Sequence, residues 1–176
     1  MQIFLMRHGE SISKYTNDFY RPLTSRGYFE SRQIAQWLYS KKLIYVEKVL
    51  ISPYIRAQQT FNAIQKEFLL PLKVNILWEL IPGGLHSKII TYIQELEQDM
   101  AQSVMIISHL PLIRNLLDVL CPQTKNKIFS TSAVACIDLC SKPISSKIQW
   151  YISPQIIKQN RLNKDYANYE TNNDPF

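Results

Sequence analysis

The sequence predicts an α/β fold of three layers, in which helices cover both faces of a mostly parallel central sheet. Short apolar runs of strand length alternate along the chain with longer segments whose apolar residues recur at helical spacing. With 176 residues, the chain suits one domain with a core of ordinary size. We assign residues 1–154 to this domain. We expect residues 155–176 to form a loosely ordered polar tail, because they lack an apolar period.

The first predicted strand is the apolar run over 2–6, and it leads directly into Arg7, His8 and Gly9. In a parallel sheet, the residues at the carboxyl end of a strand lie in a crevice at the sheet edge. Gly9 is expected to let the backbone turn sharply, so that a histidine beside an arginine can approach a phosphate. This triplet alone is a weak signal, and its weight depends on the rest of the chain.

A polar loop over 11–21 precedes the first helix, for which Thr24 is a good N-cap. Small residues at helical spacing would let this helix lie close to the sheet. The second strand is expected over 45–51, followed by a helix that begins at Pro53 and carries Arg56 in its first turn. The apolar side of that helix comprises Ala57, Thr60, Phe61, Ile64 and Phe68.

A short third strand over 74–77 leads to Glu79 and then to an amphipathic helix. The buried face of this helix is expected to comprise Ile89, Ile93, Leu96 and Met100. The fourth strand, 104–107, ends in Ser108 and His109, and Pro111 opens the next helix. The last two strands, 133–139 and 149–152, are expected to pair at one edge of the sheet.

Two arginines and two histidines directly follow predicted strands or open the next helix: Arg7, Arg56, His8 and His109. In a parallel sheet, these places share one edge. Two arginines can hold a phosphoryl group through paired hydrogen bonds, and helix N-termini add backbone N–H groups. His8 could attack phosphorus with a neutral ring nitrogen. His109, while protonated, would stabilise charge on the phosphoryl oxygens.

The amino-acid composition favours some classes of function over others. The net charge is +6, yet the basic residues are scattered rather than interleaved with aromatics, which favours an anionic substrate over nucleic acid. We find no apolar run of about eighteen residues and no signal-peptide pattern, so we expect a cytoplasmic monomer with no membrane or nucleic-acid partner. The three cysteines, Cys121, Cys136 and Cys140, are expected to be buried thiols rather than a disulfide or a metal site.

The combination Arg7-His8-Gly9-Glu10, then Ser52-Pro53 with Arg56 and Thr60, then Ser108-His109 resembles the histidine phosphatase superfamily. The fold of that family is also called phosphoglycerate-mutase-like. Within it, the stretches 21–24, 50–53 and 106–112 look most similar to the SixA-type phosphohistidine phosphatases. The motifs occur in the family's order and span most of the chain.

The resemblance implies that His8 is the nucleophile and that Arg7, Arg56 and His109 surround the phosphoryl group. It implies Arg21 as an additional basic residue near the site. It also implies a substrate, the histidine phosphotransfer domain of a two-component sensor kinase. No step of the implied mechanism requires a metal or another cofactor.

The sequence does not decide whether Glu79 acts as a general acid. Glu79 lies where family members that act on phosphate esters place their acid, but a phosphohistidine whose distal nitrogen is protonated releases a neutral imidazole and needs little acid. The alternatives are a phosphomonoesterase acting on phosphoserine, phosphothreonine or small esters, and a phosphate-binding module without catalysis. The short segment between the third and fourth strands lacks the long insertion of larger members. It predicts a shallow rim that admits a protein-borne phosphohistidine.

Overall fold

A computed structural model describes residues 1–42, 44–71, 74–124, 129–139 and 146–172, with the side chains of the last helix described as far as residue 163. Six strands form one sheet in the order β3-β2-β4-β1-β5-β6. Their bounds are β1 Gln2–Arg7, β2 Lys48–Ile51, β3 Asn75–Ile76, β4 Ser103–Ser108, β5 Val134–Asp138 and β6 Lys147–Ile152. The first four strands in the spatial order pair in parallel, while β5 and β6 are antiparallel additions at one edge. The predicted mostly parallel α/β sheet is therefore confirmed.

Helices cover both faces of this sheet. They are α1 Ser25–Ser40, α2 Ile55–Gln65, α3 His86–Gln98, α4 Leu112–Leu120 and α5 Pro154–Asn172. Alternate residues of β1 enter two separate cores: Ile3 and Leu5 pack with α3 and α4, whereas Phe4 and Met6 pack with α1 and α2. Each of these four side chains is fully buried. This alternation produces the three layers.

Helix α1 begins as the sequence predicts and packs closely on the turn after β1. The Thr24 hydroxyl oxygen accepts a hydrogen bond of 3.0 Å from the Gly27 N–H and caps the helix. A β-carbon on Gly27 would lie 2.1 Å from the Glu10 carbonyl oxygen, and one on Gly9 would lie 2.8 Å from the Gly27 carbonyl oxygen. No glycine has a positive φ. The space that Gly9 leaves for α1, rather than a left-handed turn, explains its position.

Two sequence predictions about buried faces and helix starts differ from the structure. Helix α3 ends at Gln98, and Met100 has a φ of 60° and is 75% exposed instead of buried. The chain reverses there, since the Ala101 N–H bonds to the Leu96 carbonyl at 3.0 Å before the chain enters β4. Helix α2 begins at Ile55 rather than at Pro53.

The segment predicted to be a loosely ordered tail begins instead as helix α5. Ile157 is buried and joins the core between the sheet and α1 and α2. A few apolar residues near its start pack α5 against the domain, although the sequence shows no sustained apolar period.

Cys121 and Cys136 are buried thiols, as predicted, and Cys140 lies outside the described residues. Burial raises the pKa of Cys121 to about 11 and that of Cys136 to about 12, so both stay protonated at neutral pH. In the part of the chain that the structure describes, no helix has both the length and the apolar character needed to cross a bilayer.

Candidate active site

Neighbouring parallel strands place His8 and His109 side by side. Arg7 at the end of β1 is in register with Ser108 at the end of β4, and the next residue of each strand is a histidine. The His8 N–H donates a 3.0 Å hydrogen bond to the Ser108 carbonyl. The two ring centroids are 4.9 Å apart, and both side chains are buried. The shared edge predicted from the sequence exists for these two rings.

The ring of His8 is held in one neutral form. Its Nδ1 lies 2.6 Å from the Gly9 carbonyl oxygen, which can only accept, so Nδ1 carries the proton. The Nε2 lone pair accepts from Arg56 Nε at 3.3 Å. Burial lowers the pKa of His8 to about 3 against the opposing effect of the Gly9 carbonyl, and the charges of Arg56, Arg7 and Arg21 lower it further. At neutral pH, Nε2 is therefore unprotonated, and its electron pair points at Arg56 Nε.

Arg56, from the first turn of α2, is oriented by Asp18. The guanidinium is almost completely buried. Its Nη1 donates to the Asp18 carbonyl oxygen at 2.7 Å, and its Nη2 donates to Asp18 Oδ2 at 3.1 Å. These bonds occupy the end of the planar fork, so the side edge with Nε faces His8. Asp18 thereby determines which N–H groups of Arg56 face the two histidines.

Asp18 also connects Arg56 to Arg21. Arg21 Nε donates to Asp18 Oδ1 at 2.7 Å, and its Nη1 donates to the Ile12 carbonyl oxygen at 3.1 Å. Burial acts to raise the pKa of Asp18, but the charge of Arg56 and hydrogen bonds from both arginines outweigh it, so the pKa lies below its usual value. The sequence analysis did not single out Asp18. Its position three residues before Arg21, within a polar loop, was the available signal.

Arg7, the last residue of β1, has a buried N–H group without a hydrogen-bond partner among the described residues. That group is Nε, whereas Nη1 donates to the Phe129 carbonyl oxygen at 2.8 Å. The charge of Arg7 lowers the pKa of both His8 and His109, which places it near the pair. A buried N–H group without a partner is costly unless an anion binds it.

His109 is fixed by Ser52 at the end of β2. Its Nε2 lies 2.7 Å from Ser52 Oγ, and its buried Nδ1 has no partner among the residues described. Burial lowers the pKa of His109 to about 2, and the charges of His8 and Arg56 act in the same direction. In these surroundings the His109 ring is therefore neutral. From the sequence, we instead expect His109 to act while protonated. Negative charge from a phosphoryl group is the change that would raise its pKa.

Hydroxyl groups connect the elements that carry the site. The Gly9 N–H donates to Thr60 Oγ1 at 2.9 Å, and the Thr60 hydroxyl donates to the Arg56 carbonyl at 2.7 Å. These bonds tie the end of β1 to the first turn of α2. At the end of β4, the Ser108 hydroxyl donates to the Leu80 carbonyl at 2.7 Å. All three hydrogen bonds join groups within the chain, so they hold the geometry of the site without a bound substrate.

Glu79 lies in a short 3₁₀ turn, Trp78–Leu80, beside the end of β4. Its side chain is half-buried and makes no hydrogen bond to another described residue. The structure thus brings its backbone near His109 without giving the carboxylate a contact to the catalytic candidates. Within the described ranges, no group of three or more His, Cys, Asp or Glu side chains is arranged to hold a metal ion.

Comparisons with known proteins show what this chain is similar to. A model of the histidine phosphatase superfamily (branch 1) matches residues 3–80. The phosphohistidine phosphatase SixA of Escherichia coli (strain K12) is 39% identical over 158 residues, which cover 90% of this chain and 97% of that protein. A SixA homolog of Haemophilus influenzae is 37% identical over 119 residues, covering 64% of this chain and 73% of that protein. The solved structure of the protein histidine phosphatase SixA complexed with tungstate matches with a TM-score of 0.84 and 38% identity, covering 89% of this chain and 99% of that one.

Proposed function

This chain belongs to the histidine phosphatase superfamily, and from that premise we propose that it is a phosphohistidine phosphatase that works through a phosphorylated His8. One observation carries the proposal. The Nε2 electron pair of a neutral, buried His8 faces Arg56 Nε at 3.3 Å, and the His8 and His109 ring centroids lie 4.9 Å apart. A nucleophile held next to a cation is suited to attack a phosphoryl group, whose negative oxygens the cation binds.

In the first step, His8 Nε2 donates its electron pair to phosphorus while the bond from phosphorus to the substrate nitrogen breaks. The electron pair of that bond returns to the leaving ring. Because the distal nitrogen of the phosphohistidine carries a proton, the ring leaves as neutral imidazole. Arg56 and Arg7 balance the charge on the phosphoryl oxygens. That negative charge raises the pKa of His109, so the ring takes up a proton from solvent and its Nδ1 donates to a phosphoryl oxygen.

In the second step, water attacks the phosphorus of phospho-His8. The bond between phosphorus and Nε2 breaks, its electron pair returns to His8, and inorganic phosphate leaves with the oxygen of water. The hydrogen bond from Nδ1 to the Gly9 carbonyl persists throughout and keeps Nε2 as the reacting atom. Each turnover therefore restores the same neutral form of His8.

The substrate we propose is a protein, the histidine phosphotransfer domain of a two-component sensor kinase, and we place the reaction in the cytoplasm. Similarity to proteins named phosphohistidine phosphatase supports the reaction. The carboxylate of Glu79, which has no hydrogen bond to a described residue, fits a substrate that needs no general acid. An ester would release an alkoxide and would depend on such an acid.

A substrate panel with the purified protein tests this proposal. We expect a phosphorylated phosphotransfer domain to be hydrolysed with a kcat/KM at least about tenfold above that for phosphoserine or sugar phosphates. Faster turnover of the esters, together with a strong loss in Glu79→Gln, would instead establish the phosphomonoesterase alternative. Full activity in the presence of a chelator is expected, and its loss would contradict the mechanism.

The covalent intermediate has its own test. Acid-labile, base-stable ³²P should be trapped on the wild-type chain after rapid quenching and should be absent from His8→Ala. We expect kcat of His8→Ala to fall by at least about 10³-fold, because the nucleophile itself is removed. Normal turnover by His8→Ala would rule out attack by His8. His86→Ala, which changes a histidine at the start of α3, serves as the matched control.

A further inference from the structure

We propose that an exposed aromatic surface beside the site docks the protein that carries the phosphohistidine, a proposal that rests on the proposed function. This surface, the aromatic rim, consists of Phe19, Tyr20, Tyr54 and Trp78. Tyr20 is 57% exposed and Trp78 is 66% exposed. Single exposed aromatics are common on protein surfaces, but a contiguous group of them is typical of a binding surface.

The rings of the rim form an unbroken series of contacts that starts at the catalytic pair. The Tyr54 ring centroid lies 5.1 Å from that of His109, and the Phe19 centroid lies 5.1 Å from Tyr54. Trp78 is stacked on Phe19 at 5.8 Å, and Tyr20 meets the same ring edge-on at 5.0 Å. The series therefore runs from the buried His109 to solvent, so a large substrate that reaches the site along this side lies against it.

Two 3₁₀ turns, Asp18–Tyr20 and Trp78–Leu80, carry all of the rim except Tyr54, which lies at the N-terminus of α2, and both turns are held by bonds to the site. The Asn17 side chain caps the first turn by accepting from the Phe19 N–H at 2.9 Å, and Asp18 is bonded to Arg56. The Ser108 hydroxyl holds the second turn through the Leu80 carbonyl. A surface that is ordered before binding loses less conformational entropy when a partner covers it.

The chemistry of phosphohistidine indicates what covers the rim. Only one methylene separates a histidine ring from its backbone, so a phosphoryl group that reaches the buried His8 brings the substrate's backbone and neighbouring side chains onto the site's edge. The rim offers those neighbours apolar rings, and Trp and Tyr are residue types that dominate binding energy at protein interfaces. The occupant is therefore a folded phosphohistidine protein with apolar side chains next to its phosphorylated histidine. A small phosphorylated metabolite would leave Trp78 uncovered.

The test compares two nitrogen-linked substrates, a phosphotransfer domain phosphorylated on histidine with phosphoramidate, and phosphoimidazole. We expect Trp78→Ala to raise KM for the domain about tenfold, so that the ratio of kcat/KM for the domain to that for phosphoimidazole falls about tenfold. Tyr45→Ala is the matched control. Tyr45 is also 66% exposed, but its carbonyl bonds to Ser103 Oγ at the start of β4, the opposite end of the sheet from His109. In Tyr45→Ala, the ratio of kcat/KM for the domain to that for phosphoimidazole should stay within about twofold of wild type.

An unchanged ratio in Trp78→Ala overturns the docking role while leaving the phosphatase assignment intact, and so does an equal loss with both substrates. Failure of the wild-type chain to hydrolyse either substrate overturns both proposals. Thermal unfolding confirms that the variant is folded, and Tyr20→Ser provides a second rim variant if it is not. Sedimentation velocity adds a further outcome: a wild-type dimer that Trp78→Ala dissociates would assign the rim to a second copy of the chain.

Discussion

At the scale of single residues, the orientation of Arg56 depends on a carboxylate 38 positions away. Asp18 accepts from Arg56 and Arg21, and its side chain is half-exposed while Arg56 is almost fully buried. Without the carboxylate, the bond from Nη1 to the main-chain carbonyl of residue 18 is all that still holds the end of the guanidinium, and Nε keeps its 3.3 Å bond to His8. The Arg56 guanidinium can then rotate, so that its Nε no longer faces His8 in every molecule.

We expect Asp18→Ala to lower kcat/KM about tenfold, or about 1.4 kcal/mol, and Asp18→Asn to lower it less because an oxygen acceptor remains. Steady-state kinetics with phosphoimidazole would measure this effect without the contribution of a docked protein. Asp118→Ala removes an Asp–Arg pair on α4, in which Arg114 Nε and Asp118 Oδ1 are 3.0 Å apart, and it is the control. Equal activity of Asp18→Ala and wild type would show that Arg56 needs no such support.

At the scale of elements, the packing of α1 on the Gly9–Glu10 turn sets the position of His8. We expect Gly27→Ala to lower the free energy of unfolding by about 2 kcal/mol, since the new methyl group would meet the Glu10 backbone at 2.1 Å. The intrinsic helix preference of alanine, about 1 kcal/mol over glycine, acts in the opposite direction and is too small to prevent this loss. The displaced turn should also reduce kcat. Urea denaturation checks the first effect and kinetics the second.

Gly83→Ala is the matched control, because a β-carbon at Gly83 has no atom within 4 Å. Its free energy of unfolding should stay within about 1 kcal/mol of wild type. If Gly27→Ala is as stable and as active as Gly83→Ala, α1 does not constrain the turn that carries His8.

At the scale of the whole molecule, the buried histidine pair couples stability to pH. Burial and nearby positive charge lower the pKa of His8 to about 3 and that of His109 to about 2, from an ordinary value of 6.5. As pH falls below 6.5, the unfolded chain binds protons that the folded chain does not bind, so the free energy of unfolding decreases. The loss continues until pH approaches the folded values. At pH 5.5 it should reach about 1.4 kcal/mol for each ring.

We therefore expect the decrease between pH 7.5 and pH 5.5 to be about half as large in His8→Gln as in wild type. Carboxylates titrate mostly below this range, which isolates the histidines. Urea denaturation at both pH values measures the difference, and His86→Gln, which leaves the pair intact, is the control. A decrease of the same size in wild type and in His8→Gln would mean that His8 has the same pKa in the folded protein as in the unfolded chain.

The sequence by itself determined the α/β class, the succession of strands and helices along the chain, the strand ends that lead into His8 and His109, and the first helical turn that carries Arg56. These features are encoded locally, by apolar periodicity and by the N-cap at Thr24, and a parallel sheet then brings its strand ends to one edge. Only the tertiary structure decided the partners of the two arginines: Asp18 for Arg56 and the Phe129 carbonyl for Arg7.

The distinction between locally encoded features and long-range contacts also explains where the structure differs from the other sequence predictions. The reversal that exposes Met100, the helix α5 that replaces the expected tail, and the ring contacts of the aromatic rim all depend on where a loop or terminus passes relative to distant elements. Periodicity along the chain carries no information about such paths. They are set when hydrogen bonds and apolar contacts between segments far apart in the sequence are satisfied together.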